Sequence, residues 1–120
     1  MSSAGRFIGL LMRSRTQAHI FHLETKSFAR HTALEAYYTG IVPLLDRYAE
    51  VYIGKYGRIN KYNGMNNAIN RNTENVVAYF NSLLKTISEM ELPADGALRN
   101  IQDEIVALIR STVYKLRNLK

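Results

Sequence analysis

Four stretches of this 120-residue chain repeat their apolar residues at intervals of three and four, and none alternates them at intervals of two. That is the period of a helix buried along one face, so it confines the chain to an all-α fold. The first stretch, Gly5 to Glu24, carries Phe7, Ile8, Leu11, Met12, Ala18 and Phe21 or His22. The second, Phe28 to Tyr56, carries Phe28, Leu34, Tyr38, Ile41, Leu45, Tyr48, Tyr52 and Ile53. The third, Thr73 to Glu91, carries Val76, Val77, Phe80, Leu83, Leu84 and Ile87 and ends before Pro93. The fourth opens at Asp95 as its cap and carries Leu98, Ile101, Ile105, Leu108, Ile109, Val113 and Leu116. A length of 120 residues fits one domain with a single core, so residues 1–120 are expected to fold as one helical unit.

The connections are unequal. Thr25, Lys26 and Ser27 leave room for only a tight turn, with hydroxyls able to cap the next helix. Gly57 to Asn72 is long and polar, with Gly57, Gly64 and asparagines at 60, 63, 66, 67, 70 and 72. Adjacent antiparallel helices are joined by fewer than about eight residues, so this segment predicts one long crossover between parallel or distant helices. Pro43 lies inside the second helix, where it removes an N–H and crowds the carbonyl of Thr39; a kink or a break is expected there.

Composition excludes several chemistries. Without cysteine there is no disulfide framework, thiolate zinc site, iron–sulfur cluster or cysteine nucleophile, and any metal must use histidine, carboxylate or water. No Gly-rich phosphate loop, GxSxG elbow or HExxH helix is present. No apolar run reaches the roughly 18 residues of a membrane span, and Phe7 to Met12 is too short for a secretory signal, so the expected address is the cytoplasm, with no membrane partner. The net charge of +6 would suit an acidic partner, but the sixteen basic residues are spread along the chain, and a solvated basic surface is the simpler reading.

The second helix also carries two spaced pairs, His31 with Glu35 and Asp46 with Glu50, each four residues apart and so able to point two donors the same way. Glu35 and Asp46 are eleven residues apart, close to three full turns, which puts both pairs on one stripe but about 16 Å apart along the axis. One chain therefore cannot close a site around both pairs. Two copies packed antiparallel about a two-fold axis near Gly40 and Ile41 would set residue 31 opposite 50 and residue 35 opposite 46, with Gly40 permitting close approach. An antiparallel return of the second helix would bring His19 near His31. His22 reads as an ordinary hydrogen-bonded or surface histidine outside the set. Tyr37, Tyr38, Tyr48, Tyr52 and Tyr56 read as packing residues.

The offsets of His19, His31, Glu35, Asp46 and Glu50, with Phe28 and Ala49, resemble those of the Dps miniferritins over roughly residues 15–58. The resemblance implies a four-helix ferritin-like bundle, shortened in its later helices, and a homo-oligomer that reaches a dodecamer in that family. It further implies a ferroxidase site shared between subunits, with iron as the metal and zinc or manganese as substitutes, and a role in iron storage and peroxide protection. Ile20 stands where that family usually has Trp, and Glu35 where it has Asp. DNA binding is the weakest implication, because residues 1–5 carry no basic side chain. Two readings from other classes stand beside it: a metal-free helical assembly and a basic nucleic-acid-binding bundle.

Overall fold

The computed structural model describes residues 3–66 and 68–120; Asn67 of the polar connection and the first two residues lie outside the described residues. Four α-helices form: α1 (Ala4–Glu24), α2 (Phe28–Tyr56), α3 (Val76–Ser88) and α4 (Gly96–Asn118), and no strand occurs among the described residues. The third helix is shorter than its apolar pattern suggested. A single 3-10 turn, Thr73–Asn75, precedes it, and it ends at Ser88.

Caps set these boundaries. Ser27 Oγ accepts from the Arg30 N–H at 3.2 Å, Asn72 Oδ1 from the Glu74 N–H at 3.0 Å, and Asp95 Oδ2 from the Leu98 N–H at 3.1 Å. Each satisfies a backbone donor that the first turn of a helix leaves open. Pro43 does not break α2. Both Pro43 and Thr39 are exposed, so water can serve the Thr39 carbonyl that loses its helical donor.

α1 and α2 form an antiparallel hairpin, with Phe7 against Tyr48 at one end and His22 against His31 at the other. α4 lies antiparallel along α2, tied by Lys55 to Asp95 and by Arg47 to Glu104. Tyr37 meets Phe80 near the start of α3, whereas Ser3 N–H donates to Glu91 O beyond its end, so α2 and α3 run parallel. The connection between them travels the length of α1. Its Lys61 lies over Gly5, its Asn63 over Gly9, its Asn70 pairs with Gln17, and its Arg71 with Glu24.

The core fills the space between α1, α2, α3 and α4 with Phe7, Leu11, Phe21, Leu34, Ile41, Phe80, Ile105 and Ile109, all fully buried. Of the tyrosines expected to pack, Tyr37 and Tyr48 are fully buried, Tyr38 and Tyr52 partly, and Tyr56 is about half exposed. Phe28, expected on the buried face, is 82% exposed. Gly40 and Ile41 also differ from expectation. A Cβ on Gly40 would touch Leu108 of α4 and Ile41 is wholly buried, so at this level the outward face of α2 is Thr39, Val42 and Pro43. The glycine serves helix packing within the chain. None of the described helices is long and apolar enough to cross a membrane.

Candidate metal centre

The short turn fixes which residues of α1 and α2 face each other. A hairpin centred between Lys26 and Ser27 places residue 22 level with residue 31. The imidazoles of His22 and His31 accordingly stack, with ring centroids 3.6 Å apart and planes 20° from parallel. Each ring also binds the other residue's backbone: His22 Nδ1 lies 2.7 Å from His31 O, and His31 Nδ1 lies 2.9 Å from His22 O. A carbonyl oxygen only accepts, so both Nδ1 atoms carry the proton. In the neutral rings the lone pairs are then left on Nε2, the tautomer a metal ligand needs. The His22 carbonyl lies in the last turn of α1, where no intrahelical donor reaches it, so His31 caps the helix as well.

Glu35, one turn beyond His31, brings Oε1 to 3.9 Å from His22 Nε2. One donor atom each from His22, His31 and Glu35 can be chosen so that all three lie within 4.8 Å of one another. His22 is buried, His31 half-buried and Glu35 exposed, so the group opens to solvent on the carboxylate side. Two imidazoles and a carboxylate suit iron, zinc or manganese. With the rings stacked, ligation of one ion by both at about 2 Å requires them to splay. Rotation about the side-chain bonds, with Glu35 free to follow from its exposed position, supplies that adjustment.

Of the residues selected from sequence, His31 and Glu35 come together here, and His22, set aside from the sequence, completes the group. His19 does not join it. Its ring stacks on Tyr38 at 4.5 Å and lies 6.0 Å from the His22 ring. The reason is register: the turn centre that pairs 22 with 31 sets residue 19 level with Leu34, one turn farther from the loop. Asp46 and Glu50 are exposed, farther along α2, and do not reach the group within one chain. The surround is apolar and open. Phe28 lies beside His31 with ring centroids 6.4 Å apart, and Leu23 is 64% exposed next to His22.

Residues 22–116 match a family of unknown function, DUF5856, and the chain belongs to that family. The matched span begins at His22 and includes His31, Glu35, Asp46 and Glu50, whereas His19 precedes it. The chain is also 27% identical, over 115 residues, to an uncharacterized 14.6 kDa protein in the mobD-ri intergenic region of Enterobacteria phage T4, covering 96% of this chain and 88% of that protein. No solved structure matches the chain.

Proposed function

We propose that this member of the DUF5856 family binds a divalent transition metal through His22, His31 and Glu35, and that it acts as a Dps-like protein with Fe(II) as the substrate oxidised there. The observation that carries this reading is the pair of reciprocal Nδ1-to-carbonyl bonds, which leaves Nε2 of both histidines open as a donor, with Glu35 Oε1 3.9 Å from that of His22. Open coordination positions on iron would supply the oxidation chemistry. His22 and His31 orient the ion and keep its inner side shielded, and Glu35 compensates its charge at the solvent side.

The long crossover linking two antiparallel helix pairs, which ferritin-like bundles also use, supports the reading. So do Leu23 and Phe28, large apolar side chains exposed beside the donors, where a second copy would cover them. In such a dimer Asp46 and Glu50 of the second copy are the carboxylates that complete the set. The test is Fe(II) oxidation by wild type, His31→Ala and Glu50→Ala. Loss of oxidation in His31→Ala and its reduction in Glu50→Ala are expected; equal rates in all three would sink the ferroxidase reading.

A second reading has its own support. The stacked rings already satisfy two backbone carbonyls without an ion, so the same pair can serve as a metal-free clip for the α1–α2 hairpin in a purely structural assembly. A chelator that leaves the melting temperature of freshly purified protein unchanged, together with no shift on adding metal, would favour the clip.

A further inference from the structure

Basic residues that are spread along the sequence converge at the end of the bundle opposite the histidines. Arg6 from the first turn of α1 and Arg58 and Lys61 from the start of the connection line one open cavity of about 610 Å³, with Tyr52 of α2, Asn60 and Asn63. Among the described residues no acidic one lines it. Among the described residues none of the three cations forms an ion pair; the four pairs present use His22, Arg47, Lys55 and Arg71. Tyr56 and Tyr62 flank the cations in sequence and are 49% and 41% exposed.

The connection that carries Lys61 lies against α1. A Cβ on Gly5 would overlap the Lys61 carbonyl and one on Gly9 would overlap the Asn63 carbonyl, so the two glycines let the connection lie directly on α1. Preplaced charges lose less conformational freedom on binding than charges on a flexible tail. Unpaired cations around a concavity suit phosphate oxygens, and tyrosine faces suit unstacked bases. A duplex keeps its bases stacked and presents only its backbone to such a cavity.

We propose that this cavity binds single-stranded nucleic acid, with Arg6, Arg58 and Lys61 on backbone phosphates and Tyr52 stacking on a base. The site does not depend on the metal reading and lies at the other end of α1. Three phosphate contacts on a single strand predict a slope of about −2 for log K against log salt.

Fluorescence anisotropy with a labelled oligothymidylate of about 12 nucleotides, a duplex of equal length and the full chain tests it. Binding at low salt with that slope is expected, with at least about tenfold weakening in Arg58→Ala/Lys61→Ala and a clear loss in Tyr52→Leu. Arg110→Ala/Arg117→Ala, which removes the same charge from exposed sites on α4, should stay within about twofold of wild type; circular dichroism verifies that each variant is folded. Absence of binding at low salt, equal loss in both double variants, or duplex binding as tight as single-strand binding overturns the proposal. Attachment to anionic vesicles without oligonucleotide binding overturns it as well.

Discussion

Tyr37 and Tyr48 are both fully buried on α2, yet their hydroxyls meet different surroundings. Ser14 Oγ donates to Leu11 O at 2.7 Å, so in its 2.6 Å contact with Tyr37 the phenol is the donor. Burial pushes the Tyr37 phenol well above its ordinary value of 10, although the Ser14 bond opposes the shift. Burial likewise pushes Tyr48 up to about 12, but its hydroxyl has no hydrogen-bond partner among the described residues. Removing a made hydrogen bond costs about 1 kcal/mol, whereas removing an unmet buried donor costs nothing and can stabilise. Tyr37→Phe should therefore lower unfolding stability by about 1 kcal/mol in urea titrations, and Tyr48→Phe should leave it equal or higher. At Gly9 the expected effect is larger. Gly9→Ala puts a methyl into the Asn63 carbonyl and should cost about 1–3 kcal/mol, since backbone rather than a flexible side chain must move.

The four elements differ in how much of them the residues disclose. α2 was legible to its ends because Ser27 and Gly57 mark both boundaries, and the length of the connection predicted a crossover between parallel or distant helices, of which the structure takes the parallel one. The path of that connection along α1 was not legible: it depends on Gly5 and Gly9 meeting carbonyls some fifty residues away. The histidine group was half legible. His31 and Glu35 stand out by their four-residue spacing, but His22 is found only by reflecting His31 through the turn centre, and moving that centre by half a residue exchanges His22 for Phe21. Helix ends also carry a pH signature. Asp95 caps α4 and pairs with Lys55 at 2.6 Å, which holds its carboxyl below the usual range and raises the Lys55 amine. The lowered acid contributes stability above its unfolded value near 3.8 that is lost as pH falls through its folded one. The raised amine contributes stability below 10.5 that is lost as pH rises through its folded value. Asp95→Asn, which keeps the cap but not the charge, should flatten both flanks of the stability–pH curve; an unchanged curve would show that solvent screens the pair.

At the scale of the whole molecule, α2 spans the bundle and sets its longest extent of 43 Å, with the histidine group at one end and the basic cavity at the other. The two sites are built differently. The proposed donors His22 and His31 flank a tight turn and each donates Nδ1–H to the other's backbone carbonyl, whereas the cations are gathered by a crossover held against glycines. A ligand that binds only the folded state raises stability by about 2.7 kcal/mol at a hundredfold excess over Kd, so zinc or Fe(II) under anaerobic conditions should raise the melting temperature and a chelator should reverse it. In the proposed metal site His22, not His19, joins His31 and Glu35. Calorimetric titration of metal into wild type, His22→Ala and His19→Ala tests it most directly. The account predicts binding of one ion per chain in wild type, retention in His19→Ala and loss in His22→Ala; binding that survives in His22→Ala and disappears in His19→Ala would contradict it.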